Sequence, residues 1–246
     1  MTTNEDEFND PLVIKKNQKL YSKLCNQYQT QLLEVDPNKC FPWEFHNRNL
    51  NTLSLKTCKD LVDSIKKIGQ AEPILVRKVT LDPNYDFEII FGVRRWFACR
   101  QIPNQKLLAY VTDVEDKSCA ILMHAENTHR KDITKFEKAC SFLQQMNSGL
   151  FKNQLELAQA VGFTQGFISK LLKAAKLLDY EWIHPLFQDK QELSIRYAYQ
   201  LARYLEDPNT HNLIKERFEF LLQEYQKAST RISSTEIMKK LRGCPR

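Results

Sequence analysis

The segment Phe87-Glu88-Ile89-Ile90-Phe91-Gly92-Val93-Arg94-Arg95-Trp96 places a glycine and two adjacent arginines where an apolar run gives way to a helical pattern. At a strand-to-helix turn the first helical amides and the helix dipole attract anions. Arg94 and Arg95 add charge whose planar fork matches phosphate oxygens, although adjacent arginines also occur on solvated helix faces. A second cluster runs from Ala125 through Glu126, Asn127, Thr128, His129, Arg130 and Lys131 to Asp132. Glu126 and Asn127 offer hard oxygen ligands of the kind Mg²⁺ takes beside phosphates, and Arg130 offers another phosphate contact. The alternative is that Asn127 ends a helix while Glu126 and Arg130, four apart, form a surface ion pair.

A third pattern is steric. In Gln154–Lys173 (QLELAQAVGFTQGFISKLLK), Ala158 supplies the small residue that two closely crossing helices need, and Gly162 tolerates the positive φ of a tight turn. Leu157, Val161, Ile168 and Leu171 are the apolar positions that join the helices, and Thr164 is an N-cap residue. A helix-turn-helix at 154–172 exposes Thr164, Gln165, Gly166, Ser169, Lys170 and Lys173 to a DNA groove. Recognition helices read bases mainly from their N-terminal residues, which makes Gln165 and then Ser169 the base readers; Lys170 and Lys173 suit phosphates. Gly166 weakens a helix interior by about 1 kcal/mol, which a close approach to DNA explains. From Thr164 to Lys176 there is no carboxylate. The alternative is a helical corner packed in a bundle.

These residues need elements to hold them. Residues 1–34 read as a flexible arm, with a loose helix over Ile14–Leu33 in which Leu20, Leu24 and Tyr28 are four apart. A loop around Phe41, Trp43 and Phe45 follows. A helix starts at Ser54, carries Leu61, Ile65 and Ile68 on one face, and stops at Gly69. Strands are expected over Pro73–Val79, Phe87–Phe91 and Leu107–Val111, with helices over Arg94–Gln101 and Glu115–Glu126. Thr134 and Glu137 have capping-box spacing for a helix to Asn147, and helices follow at 153–161, 165–177, 195–205 and 211–227. The fold class expected is thus an α+β unit over 35–130 followed by an all-α unit over 131–230, with a tail at 231–246.

Bulk composition narrows the function. Seven cysteines are scattered without a CxxC pair, and His124 and His129 are five apart, so neither a disulfide framework nor a zinc site is indicated. No apolar run reaches the roughly 18 residues of a membrane span, and the start MTTNEDEFND lacks the features of a secretory signal. A cytoplasmic location, with no membrane partner, is expected. The net charge of +6 and pI near 8.8 suit an acidic partner without specifying one.

Taken together, the motifs resemble the ParB/RepB partition family. A GQxxPIxVR-like segment spans Gly69, Gln70, Pro73, Ile74, Val76 and Arg77; the arginine box Gly92-Val93-Arg94-Arg95 follows; Glu126-Asn127-x-x-Arg130-x-Asp132 and the helix-turn-helix come last. Trp43-Glu44-Phe45-His46-Asn47-Arg48 resembles the F-plasmid branch. The resemblance covers about residues 35–205 and implies a ParB/sulfiredoxin-like N-terminal domain that binds CTP and Mg²⁺ and closes as a clamp on double-stranded DNA. It also implies a ParA-type ATPase partner and a homodimer. By that resemblance Gly69, Gln70, Pro73 and Arg77 lie near the nucleotide, Gly92, Arg94 and Arg95 hold phosphates, and Glu126, Asn127 and Arg130 surround metal and triphosphate.

Two departures matter. The family's usual box is GERR, and Val93 replaces its acid, which separates nucleotide binding from hydrolysis. The family commonly ends in a dimerisation domain, and the amphipathic set Ile214, Phe218, Leu221, Leu222 and Tyr225 offers either a partner face or core. Lys15, Lys16, Lys19 and Lys23 are either an ATPase contact or a solvated basic arm. Competing readings are a transcription regulator on the same scaffold and, from the enzymes, a sulfiredoxin-like protein or nuclease. The sulfiredoxin reading needs a cysteine in the glycine turn, but Cys99 lies a helical turn beyond it.

Overall fold

A computed structural model describes residues 7–28, 30–46, 50, 53–80, 82–127, 133–186, 193–228 and 233–242. The chain divides into two compact units, Met1–Arg130 with Ala160–Gly162, and Lys131–Gln159 with Phe163–Arg246.

The first unit is built on a mixed sheet of β1 (Gln31–Val35), β2 (Cys40–Pro42), β3 (Ile74–Lys78), β4 (Phe87–Phe91) and β5 (Leu107–Thr112), in spatial order β1-β5-β3-β4-β2. The β1–β5 and β3–β4 pairs are antiparallel, and the β3–β5 and β2–β4 pairs parallel. On one face, Ile74, Val76, Ile89, Leu107, Ala109 and Val111 share a core with α2 (Leu55–Ile68) and α3 (Val93–Arg100). On the other, α4 (Asp116–Glu126) packs against β4, and α1 (Pro11–Gln27) packs against α4. Ile89 and Ile90 are both buried because both faces are covered, which is why β4 shows no apolar–polar alternation after Glu88. Ser54 and Thr57 close a capping box at the start of α2, and Gly69 ends it with φ +77°.

Three expectations change here. The helix over Ile14–Leu33 ends at Gln27, and residues 31–35 form β1, which pairs with β5 through the register Leu33↔Ala109. Leu33 packs on the core while neighbouring Leu32 faces outward, a period of two that five residues barely display. Tyr28 is not adrift: its hydroxyl lies 3.0 Å from Ser118 Oγ of α4. The aromatic loop also holds a strand, β2, whose pairing with β4 and whose buried Cys40 and Trp43 come from the tertiary fold. Finally, β5 extends to Thr112.

The rest of the chain is helical: α5 (Lys135–Asn147), α6 (Gln154–Val161), α7 (Gln165–Ala175), α8 (Ile195–Glu206), α9 (Pro208–Ala228) and α10 (Ser234–Arg242). The capping box opening α5 is present, with Thr134 N–H donating to Glu137 Oε2 at 2.8 Å and Glu137 N–H to Thr134 Oγ1 at 3.1 Å. Ile214, Phe218 and Leu221 of α9 are core, packed with Leu201 and Leu205 of α8 and Ile237, Met238 and Leu241 of α10. The tail at 231–246 therefore contains a helix that belongs to this core. Residue 208 rather than 211 starts α9, because Pro208 suits a first helical turn and Asp207 Oδ1 accepts the Asn209 N–H at 2.9 Å.

Candidate functional site

In the first unit the arginine pair is fixed by a steric lock. Gly92 takes φ +97° and ψ 21°, and its carbonyl accepts the N–H groups of Arg95 at 2.9 Å and Trp96 at 3.1 Å, so the helix begins at once. A Cβ on Gly92 would stand 2.4 Å from Ile74 Cγ2 and 2.7 Å from Ile74 Cβ. Backbone and space both demand glycine, and the start of α3 is thereby pressed onto the start of β3. Val93 then turns into the core.

The two arginines diverge. Arg94 Nη2 donates to the Thr57 carbonyl in the first turn of α2 at 3.3 Å. Arg95 is more deeply set: Nη1 donates to the carbonyls of Glu72 at 2.9 Å and Pro73 at 2.6 Å. Its guanidinium also has Glu72 Oε2 at 3.3 Å and Glu126 Oε1 at 3.9 Å. Residues 72–73 and the end of α4 thus converge on Arg95, while the start of α2 meets Arg94.

Other predicted residues lie nearby in structural positions. The Gln70 amide acts as a substitute strand: Nε2 donates to Leu108 O and Oε1 accepts Leu108 N–H, both at 2.8 Å. Backbone pairing of β3 with β5 begins one residue later, at Ile74↔Ala109, so a side chain completes the ladder. Asn127 is buried and Nδ2 donates to Met123 O at 2.7 Å, which closes the last turn of α4. Arg130 lies outside the described residues.

Arg77 is not brought to this cluster. Its guanidinium donates to Val114 O at 3.0 Å, Glu88 Oε2 at 2.6 Å and Asp116 Oδ1 at 2.7 Å. Asp116 and Glu126 stand at opposite ends of α4, about 15 Å apart along the helix. Burial disfavours the Arg77 charge, but the hydrogen bond to Glu88 and the interactions with Cys119 and Asp116 outweigh it and raise the pKa.

Farther along the chain, α6 and α7 are joined by a short turn. Gly162 has φ +78°, Phe163 N–H donates to Ala158 O at 3.0 Å, and Thr164 Oγ1 accepts Phe167 N–H at 3.2 Å. Leu157, Ala158, Val161, Ile168 and Leu171 are all buried. Phe163 packs its ring 5.3 Å from Phe167 and 6.3 Å from Phe142 of α5, and α7 lies against α5 and α8. The other side of α7 presents Gln165, Gly166 and Ser169 to solvent, with Lys170 and Lys173 half-buried. A methyl group on Gly166 would meet nothing within 4 Å. Lys173 Nζ lies 2.5 Å from Glu206 Oε2 of α8.

Residues 22–128 match the family model described as the ParB N-terminal domain. This segment carries the likeness to ParB. Over 147 residues it is 30% identical to a probable chromosome-partitioning protein ParB of Xylella fastidiosa (strain 9a5c), covering 60% of this chain and 44% of that relative. This chain therefore spans less than half the length of that relative. Over 202 residues it is 28% identical to a nucleoid occlusion protein of Listeria innocua, covering 82% of this chain and 68% of the relative. A solved pNOB8-like ParB N-domain is similar in fold, with TM-score 0.52 at 14% identity over 88% of this chain and 93% of that one.

Within the segment that matches the ParB N-terminal domain, sequence reasoning overlooked Thr57, Glu72, Glu88 and Asp116, which anchor the arginines. Carboxylates on an adjacent strand or at a helix start look like ordinary surface until topology sets them beside a cation. Glu206, in the second unit, was overlooked for the same reason. Among the described residues, no group of three or more His, Cys, Asp or Glu side chains is arranged to hold a metal ion. No described helix is long and apolar enough to cross a membrane.

Proposed function

We propose that this chain is a site-specific DNA-binding protein of chromosome or plasmid partition, which reads its site through a helix-turn-helix formed by α6 and α7. One observation carries the reading: in a chain with a ParB-like N-terminal segment, the solvent side of α7 is free of carboxylates from Thr164 to Lys176 and leads with Thr164, Gln165, Gly166 and Ser169. Hydroxyl and amide groups at a helix start are suited to base edges, and Lys170 and Lys173 to phosphates. Selecting bound duplexes from a random library tests it. A recurrent sequence whose binding weakens with Gln165→Ala supports the reading, and recovery of unrelated sequences overturns it.

Residues 35–130, within the first unit, are the proposed nucleotide-binding part. Arg94 and Arg95 at the start of α3 fit the phosphates of CTP, with Gly69, Gln70 and Pro73 shaping the neighbouring loop. Gln70 and Arg77 contribute by rigidifying the sheet. The donor set fits Mg²⁺ only if the nucleotide supplies most of the oxygens, because the proposal offers it just the Glu126 carboxylate and the amide oxygen of Asn127, whose Nδ2 is tied to Met123 O. CTP, when bound, would supply the trigger for clamp closure; this chain's part is to hold the phosphates against α3. Since Val93 faces the core, no carboxylate is offered from that position, and the proposal stops at binding. Labelled CTP with Mg²⁺ and the selected duplex should be retained by the wild type and lost in Arg94→Ala. The partners that follow are double-stranded DNA, a ParA-type ATPase and a second copy of the chain.

A nucleoid-occlusion role is the second reading. It is favoured by the Listeria relative, whose match reaches 82% of this chain against 60% for the Xylella partition protein. A neighbouring gene for a ParA-type ATPase favours partition, and its absence favours occlusion. The sulfiredoxin-like reading loses its nucleophile. Burial pushes the Cys99 thiol up to about 11, and Sγ donates to Gln70 Oε1 at 3.6 Å, so at neutral pH it is not a thiolate.

A further inference from the structure

We propose that Glu206 is a built-in competitor for DNA phosphate: it holds Lys173 as an intramolecular ion pair and so weakens the grip of α7 on the nucleic-acid backbone. The inference rests on the DNA-binding reading above.

The solvent side of α7 carries Lys170 and Lys173, Lys176 follows just past its end, and no acid lies among them. The carboxylate comes from α8, which packs against α7. Glu206 Oε2 approaches Lys173 Nζ to 2.5 Å, with side chains 40% and 32% exposed. Glu206 is the last residue of α8, where the C-terminal end of a helix repels negative charge, and the basic residue one turn back on α8 is Arg203. The position makes electrostatic sense through its partner on α7.

An ion pair this exposed is weak, which allows a phosphate to displace it. For Lys173 to neutralise a phosphate it must leave Glu206, and the released carboxylate then stands beside the same phosphate. Lys173 therefore contributes less to affinity than an unpaired lysine, and less to counterion release. Base reading by Gln165 and Ser169 does not pass through this pair, so the brake acts on the sequence-independent part of binding.

Fluorescence anisotropy across a salt series, with the selected duplex and a random duplex of equal length, tests the proposal on the full chain. Glu206→Gln should bind both duplexes about 2- to 5-fold more tightly than wild type, with a salt slope steeper by about one phosphate contact. Lys173→Ala combined with Glu206→Gln should return the slope to the wild-type value. Circular dichroism melting establishes that each variant is folded, and Glu206→Ala replaces Glu206→Gln if the latter is not. Unchanged or weaker binding by folded Glu206→Gln, while the wild type binds and Gln165→Ala is impaired, overturns this proposal and leaves the DNA reading standing. A folded wild type that binds neither duplex at low salt overturns both.

Discussion

Gly92 and Ile74 meet so closely that a methyl group on the glycine would lie 2.4 Å from Ile74 Cγ2. Gly92 also holds φ +97°. Gly92→Ala should therefore destabilise the first unit by roughly 2–5 kcal/mol, combining left-handed strain with overpacking. Gly69 has φ +77° and ψ −179° but open space around it, so Gly69→Ala should cost about 1–3 kcal/mol from backbone strain alone. Urea denaturation measures both; equal losses would show that the contact with Ile74 is unimportant. Loss of ligand binding in Gly92→Ala alone could not be read as loss of a phosphate contact.

Arg94 and Arg95 should separate in the same assay. Arg95→Ala removes hydrogen bonds to the carbonyls of Glu72 and Pro73 and the cation beside Glu126, so it should lower stability by about 1–3 kcal/mol. Arg94→Ala should stay within about 0.5 kcal/mol of wild type while nucleotide affinity falls about tenfold or more. Equal destabilisation by the two substitutions would mean that Arg94 is as structural as Arg95.

Alkaline pH offers an independent check on the first unit. Burial raises the Cys99 thiol to about 11, and burial raises Cys40 and Cys119 to about 12, each from an ordinary 9.0. The folded state holds these protons more tightly than the unfolded chain. Their contribution to stability is thus complete below pH 9.0 and is lost as pH rises toward 11 and 12. Native protein at pH about 8 should leave these three cysteines unalkylated, and denatured protein should not. Rapid native-state alkylation of Cys99, followed by mass spectrometry, would contradict its burial.

On α7, alanine at Gly166 and at Gln165 should differ in its effect on stability. Gly166 is exposed with open space, so Gly166→Ala should raise stability by roughly 0.4–1 kcal/mol and yet weaken binding to the selected duplex if DNA approaches its backbone. Gln165→Ala should leave stability nearly unchanged and cost about 1–3 kcal/mol on the selected duplex, relaxing one base position. Thermal melts and anisotropy together decide. Equal loss on selected and random duplexes would mean that Gln165 reads no base.

Much of the framework was legible from local chemistry. Ser54 and Gly69 bound α2, Thr134 and Glu137 close a capping box, and Ala158, Gly162 and Thr164 shape the turn between α6 and α7. Each acts on its own neighbours, so each leaves a mark at short range. The arginine box was visible for the same reason: a strand, a glycine and a helix start are consecutive. The strands β1 and β2 escaped because pairing, rather than composition, makes them strands. Their partners on β5 and β4 lie far along the chain.

By itself, the sequence determined the two-part layout of sheet-bearing and helical segments, the arginine pair at a glycine turn, and the acid-free face of α7. Only the tertiary structure decided what those charges do. It set Arg95 on the carbonyls of residues 72 and 73, drew Arg77 to Glu88 and Asp116, turned the Gln70 amide onto Leu108, and placed Glu206 against Lys173. The physical reason is range. Caps, turns and apolar periods depend on residues within a few positions, whereas the partner of a charge is whichever group the packing of distant elements brings within about 4 Å.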